Sequence, residues 1–298
     1  MPTLEYFERP SLRRSIFLAT WSGWSDAAEA ASRAVRELVL QLPARRFASI
    51  DPEEFYVFSD TRPVVGSAPD GARTLTWPSN DFYYWKSPDE NGRDILVFIG
   101  TEPDLHWRRY AEMLVTVATE ADVQLLLTVG ALLDSVPHTR APRVTGSASD
   151  SDLGEGFEAV KYPPPEYEGP SGMTSVLSVN LKNAGVPWAS IWGHAPHYLQ
   201  VNRNPSLTRA MLKELEPFLP RPLDLGGLDR ESEEFAVQLQ RALEDQGDIQ
   251  GYVKRLEERY DSEERQRRSP DPAQLVRDLE DYLREQRRGR PDGDGGTK

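Results

Sequence analysis

The sequence predicts an α/β fold, a mostly parallel sheet covered by helices on both faces, followed by a charged helical extension. Three observations carry this. The runs at 15–21 (SIFLATW), 94–100 (DILVFIG) and 123–129 (VQLLLTV) are nearly continuous in apolar residues. Strands buried on both faces read this way, whereas half-exposed strands alternate. Helix-forming sequence separates the runs, which is the order that builds parallel sheets. Beyond Gly226-Gly227 the chain turns highly charged, with apolar residues at i, i+3 and i+4.

Taken in order, 15–21 is the first buried strand, and Ser22-Gly23-Trp24-Ser25-Asp26 is the turn after it. Ser25 or Asp26 is the expected N-cap of a helix over 27–42, where Ala30, Ala34, Val35, Leu38 and Leu42 recur at helical spacing. A second strand is expected at 47–51, ended by Asp51-Pro52. The alternating stretches 73–77 (RTLTW) and 81–85 (DFYYW) flank Pro78-Ser79-Asn80 and read as a hairpin. The strand at 94–100 leads through Thr101-Glu102-Pro103 to a helix over 105–121. The strand at 123–129 is expected to end at Gly130. Residues 132–150 then read as a long loop with some extended structure, a kind of segment that is often functional. A helix over 174–184 is closed by Gly185. A strand from Val186, apolar over 188–192, is expected to open at Gly193 into a polar loop containing His194, His197 and Tyr198. Asn204-Pro205 starts a helix over 207–218, with proline at a favourable first-turn position. This gives an α/β domain over 12–222, an extension of three amphipathic helices over 223–288 and a disordered tail over 289–298. The extension is either an oligomer or partner interface or a helical appendage folded onto its own domain.

Composition excludes several classes. Lys+Arg number 35 and Asp+Glu 48, a net charge of −13, and such a chain is a poor ligand for nucleic-acid phosphates. Cysteine is absent, which removes disulfides, a thiol nucleophile and thiolate metal sites. The first residues lack the apolar core of a signal peptide. No run of about 18 apolar residues exists to span a membrane. A cytoplasmic protein with no cofactor and no assigned metal is expected.

Three chemical readings deserve weight beside structural ones. Gly169-Pro170-Ser171-Gly172 precedes a helix, whose free N–H groups and positive dipole end could cradle a phosphate or carboxylate. The simpler reading is a helix cap supplied by Ser171 or Thr174. It is not a G-x-x-x-x-G-K-[ST] loop, so a nucleotide triphosphatase is rejected. His138, His194 and His197, with Asp26 and Asp134, could make a metal site or an acid–base pair. The simpler reading has these histidines bonding backbone and shaping a loop. Ser147, Ser149 or Ser171 could act as a nucleophile, but no G-x-S-x-G elbow is present. A catalytic reading requires His194 or His197 within hydrogen-bond reach of Asp26, Asp134 or Ser171. Trp24 could be a pocket wall, while Trp188 and Trp192 fit core packing.

Four segments together resemble one family. They are Gly23-Trp24-Ser25-Asp26-Ala27-Ala28-Glu29-Ala30-Ala31, Gly130-Ala131-Leu132-Leu133-Asp134-Ser135-Val136-Pro137-His138-Thr139-Arg140, Tyr167-Glu168-Gly169-Pro170-Ser171-Gly172-Met173 and Trp192-Gly193-His194-Ala195-Pro196-His197-Tyr198. In this order they are similar to motifs of the proteasome assembly chaperone 2 family in its actinobacterial form. Ser25 stands where that family usually has asparagine. The resemblance spans about residues 12–219. It implies a three-layer α/β/α sandwich like that of purine nucleoside phosphorylases, and a homo-oligomer, a trimer being one form it could take. It also implies partners among proteasome-related proteins, with no established chemistry. Two functions follow as expectations. One is a non-enzymatic assembly or scaffolding protein. The other is a small-ligand binder or a hydrolase- or phosphorylase-like enzyme, using a cleft where the four segments meet. Its candidate residues are Trp24, Asp26, Asp134, His138, Arg140, Ser171, Gly172, His194, His197 and Tyr198.

Overall fold

The computed structural model describes residues 3–149, 168–199, 201–219, 221–244 and 246–268. Its strands are β1 (Leu4–Tyr6), β2 (Ser15–Ser22), β3 (Arg45–Ile50), β4 (Val64–Ser67), β5 (Arg73–Thr76), β6 (Asn80–Trp85), β7 (Ile95–Thr101), β8 (Val123–Asp134), β9 (Val144–Ala148) and β10 (Trp188–Pro196). Its helices are α1 (Ala30–Gln41), α2 (Trp107–Glu120), α3 (Met173–Asn183), α4 (Pro205–Leu215), α5 (Gly226–Leu243) and α6 (Gly247–Arg268).

An eight-stranded sheet in the order β1-β3-β6-β7-β2-β8-β10-β9 is the middle layer. The central strands β7, β2, β8 and β10 run parallel. On one face, Leu18, Val97, Leu127 and Ile191 pack against α1, α4 and α5 through Leu38, Met211 and Leu228. On the other, Phe17, Trp21, Phe98 and Leu126 pack against α2 and α3 through Tyr110, Leu114 and Leu177. The result is the expected three-layer α/β sandwich.

The sheet departs from the expected elements in three places. The 73–77 and 81–85 stretches are both extended but do not pair. β5 pairs with β4 in a separate two-stranded sheet, and β6 enters the main sheet between β3 and β7. Burial decides this, since Asn80, Phe82, Tyr84 and Trp85 are buried while β5 is exposed throughout. β8 does not stop at Gly130, nor β10 at Gly193. A Cβ at Gly130 would lie 2.8 Å from the Trp192 ring, and one at Gly193 would lie 2.6 Å from Met211 Sδ. These glycines admit neighbouring side chains and do not end strands. His194 therefore lies within a strand and not in a loop.

Helix α1 also starts later than expected. A 3₁₀ turn over Ala27–Glu29 intervenes, with Ala28 (φ 56°) and Glu29 (φ 49°) in the left-handed region. Asp26 Oδ1 still accepts from Ala31 N at 2.9 Å and Ser32 N at 3.1 Å. It caps the helix from across that turn. The expected third helix of the extension and the tail lie outside the described residues.

Candidate functional site

Three of the four family-like segments lie at the carboxyl ends of the parallel strands β2, β8 and β10, and the described part of the other, from Glu168 on, meets the same edge through Gly172 and Met173, where α/β folds build sites. They meet pairwise and form two groups.

The first group surrounds Glu102, which follows β7. Its Oε1 accepts from Met173 N at 2.8 Å, at the start of α3. A Cβ on Gly172 would lie 2.9 Å from that oxygen and 3.6 Å from the Trp24 ring. Gly172 is thus the residue that lets a carboxylate reach the helix end. Burial raises the Glu102 pKa, and hydrogen bonds from the Met173 and Trp24 backbone oppose this. The anion at this helix N-terminus is therefore supplied by the chain itself. The expected cap from Ser171 or Thr174 is not formed, because no side chain caps α3 locally. Among the described residues, Ser171 Oγ reaches only the Gly172 carbonyl, at 3.4 Å. Trp24 is 65% exposed on its turn. Asp26 bridges this group to the next strand, pairing with Ala131, and burial is the main cause of its raised pKa.

The second group centres on Asp134, the last residue of β8. His194 Nδ1 lies 2.8 Å from Asp134 Oδ2. Ser135 N donates to Asp134 Oδ1 at 2.6 Å. These bonds, that from His194 foremost, hold the Asp134 pKa at about 2. The proximity that a catalytic reading requires is present. His197 takes a different role, its backbone N and its Nδ1 both 3.0 Å from the Asp134 carbonyl. His138 Nδ1 lies 2.7 Å from Tyr198 Oη, which also accepts from His138 N at 2.9 Å. Burial lowers the His138 pKa and favours the neutral ring. His138 and His197 thus act as loop-shaping histidines, while His194 is set apart by its carboxylate.

Helix α6 folds over this second group. Tyr252 Oη lies 3.3 Å from His197 Nε2, and its ring packs edge-on against Tyr198. Arg140 forms paired hydrogen bonds to Asp261 at 2.8 Å each and a third contact to Glu257 at 3.1 Å. Thr139 also bonds Glu257, and Tyr260 Oη donates to the Ala141 carbonyl at 2.9 Å. Between this loop, β10, α5 and α6 lies a cavity of about 730 Å³. His138, Arg140 and His194 line it together with Phe235, Leu239 and Val253. Among the described residues, no cluster of three or more histidines or carboxylates is arranged to hold a metal ion.

Comparison with known proteins adds what geometry does not. The sequence profile described as the PAC2 family matches residues 20–243. The chain belongs to the PAC2 family. A PAC2 family protein from Streptomyces avermitilis has 33% identity and a TM-score of 0.70, covering 80% of this chain and 99% of its own. A Mycobacterium tuberculosis protein described as a proteasome-assembly chaperone homologue has 29% identity and a TM-score of 0.68, with the same coverage of 80% and 99%. A Corynebacterium glutamicum protein of unknown function shares the fold, with a TM-score of 0.77 at 24% identity, covering 88% of this chain and 97% of its own. No protein of curated function matches. The PAC2 match extends through the end of α5, so it includes the first helix of the charged extension.

Sequence reasoning missed Glu102, Thr145, Tyr252, Glu257 and Asp261. Glu102 carried a signal, as a carboxylate placed directly after the clearest buried strand. The α6 residues carried none, since their roles depend on where that helix docks.

Proposed function

We propose that this chain is a homo-oligomeric, protein-binding assembly factor of chaperone type, acting in the cytoplasm on proteasome-related proteins. Membership of the PAC2 family, with a proteasome-assembly chaperone homologue among its relatives, carries the reading. The binding role itself requires no chemistry. Two features support it. Trp24 presents a largely exposed indole on a family-like segment. The β4–β5 arm exposes Val64, Val65 and Leu75, yet isolated two-stranded hairpins are marginal in water. A second copy covering that arm would satisfy both its stability and its apolar surface. Among the described residues, no helix is long and apolar enough to cross a membrane. The test is co-elution of the full-length protein with purified proteasome core subunits, beside sedimentation of the protein alone. A stable complex and a self-associated species are expected. A monomer that leaves every core subunit unbound would overturn the reading.

The cavity of about 730 Å³ favours a second reading, a small-ligand site. Its lining mixes apolar side chains such as Phe235, Leu239 and Val253 with polar ones such as His138, Arg140 and Glu257, the composition of a small-molecule pocket. Nucleosides, phosphates and carboxylates are the compounds to screen by thermal shift. A true ligand at 100-fold over Kd should add about 2.7 kcal/mol of stability.

A further inference from the structure

We propose that Thr145, His194 and Asp134 form a nucleophile–base–orienter relay able to transfer an acyl group from a carboxylic ester to water. This goes beyond the protein-binding reading, which needs no such chemistry. Thr145 Oγ1 lies 2.8 Å from His194 Nε2, and His194 Nδ1 lies 2.8 Å from Asp134 Oδ2. The order hydroxyl, imidazole, carboxylate is the one that activates hydroxyl nucleophiles, and it is recognised by geometry, not by sequence position. The three residues come from adjacent strands β9, β10 and β8, two of them parallel and ending at this edge.

The surrounding sheet face supports a site over a packing contact. Thr128, Ser190 and Ser147 share one row across the three strands, and Gly130, Trp192 and Thr145 share the next. Side chains alternate along a strand, so these rows and His194 point to the same face. That face is polar. Ser147 Oγ and Ser190 Oγ lie 3.0 Å apart, and Thr128 Oγ1 is buried with no hydrogen-bond partner among the described residues. The intervening residues Ala189, Ile191 and Ala195 belong to the apolar core on the opposite face. A sheet covered on both faces would ordinarily be apolar on each. Thr145 and His194 are both only partly buried, and Trp192 stands beside Thr145 in the same row.

The step balances without a redox partner. Thr145 Oγ1 forms a bond to the ester carbonyl carbon as its proton passes to His194 Nε2. The bond from that carbon to the leaving oxygen then breaks, and Nε2 returns the proton to that oxygen. Water attacks the acyl-threonine next, giving its proton to Nε2. The carboxylic acid departs as Thr145 Oγ1 is reprotonated. Asp134 stays ionised and holds the imidazole in the tautomer with its proton on Nδ1.

The test uses the full chain with p-nitrophenyl acetate, following nitrophenolate release and mapping acetylated peptides by mass spectrometry. Acetyl-Thr145 and saturable release are expected. Thr145→Ser should keep the activity, while Thr145→Val and His194→Gln should each lower it by about 100-fold or more. Asp134→Asn should lower kcat with little change in KM, because the imidazole loses the partner that fixes its tautomer. A merely structural carboxylate would not split the two constants in this way. Thermal melts of each variant show whether it folds. Release that survives in folded Thr145→Val, or no release by the wild-type protein, would overturn the proposal. Neither outcome touches the co-elution test of the binding role.

Discussion

Asp261 holds Arg140 through both of its carboxylate oxygens, each 2.8 Å from a guanidinium nitrogen. This pair joins the charged extension to a loop of the α/β domain. A second link, Arg143 to Glu263 at 2.7 Å, lies on the same helix. Only Val253, Leu256 and Tyr260 of α6 are buried apolar anchors. Docking of α6 therefore leans on ion pairs at the surface, which salt screens.

The first prediction follows from that balance. Arg140→Ala should reduce hydrogen-exchange protection along α6 while leaving the central sheet protected. Raising the salt concentration should reduce it in the same direction in the wild-type protein. The charge swap Arg140→Asp with Asp261→Arg should recover part of the protection. Unchanged α6 exchange in Arg140→Ala would mean that the three apolar anchors suffice.

Glu102 gives the second. Its carboxylate caps α3 yet is penalised by burial, which raises its pKa. Glu102→Ala removes the acceptor and should cost about 1 kcal/mol, as loss of a cap does. Glu102→Gln keeps an acceptor and removes the buried charge, so it should be near neutral at pH 7. A carboxylate with a raised folded pKa loses stability as pH rises through its titration range. Any advantage of the glutamine variant should therefore vanish in acid, where the wild-type side chain is protonated. Denaturant melts at pH 4 and pH 7 check both statements.

Much of this was legible beforehand, and the limits have physical causes. Continuous apolar runs marked β2, β7 and the start of β8, because double-sided burial leaves no room for alternation. The four segments together identified the family. What failed was the meaning of glycine. Gly130 and Gly193 look like strand terminators, but each sits where a Cβ would strike a neighbour, and that neighbour is remote in sequence. The same limit hid Thr145. Its position opposite Trp192 comes from a strand pairing that local pattern does not encode. The capping distance of Asp26 was also invisible, since nothing in Ala27-Ala28-Glu29 announces two left-handed residues.

The third prediction concerns those glycines. Overpacking a filled core costs roughly 1–3 kcal/mol. Gly130→Ala would press a methyl group against the rigid Trp192 ring and should fall at the upper end. Gly193→Ala meets the flexible end of Met211 and should fall lower. Adding Trp192→Leu should relieve Gly130→Ala but leave Gly193→Ala unchanged. Equal losses for the two glycines, insensitive to Trp192, would contradict this assignment.

The last prediction concerns Asp134, whose folded pKa is held at about 2, chiefly by its bond to His194. Folding depresses this value below the ordinary carboxylate pKa of roughly 4. A depressed carboxylate contributes stability that is fully present above the unfolded pKa and is lost as pH falls. The loss should therefore run from about pH 4 down through about 2, the folded value. The side chain is 33% exposed, so solvent screening trims the effect to on the order of 1–2 kcal/mol. Asp134→Asn removes this term, and its stability should change less than that of the wild type over the same range. His194→Gln should flatten the curve in a similar way, because the pair then lacks its cation. Additive effects in the double variant would show that the two side chains act independently. A double variant no worse than the weaker single one would locate the term in the Asp134–His194 contact itself.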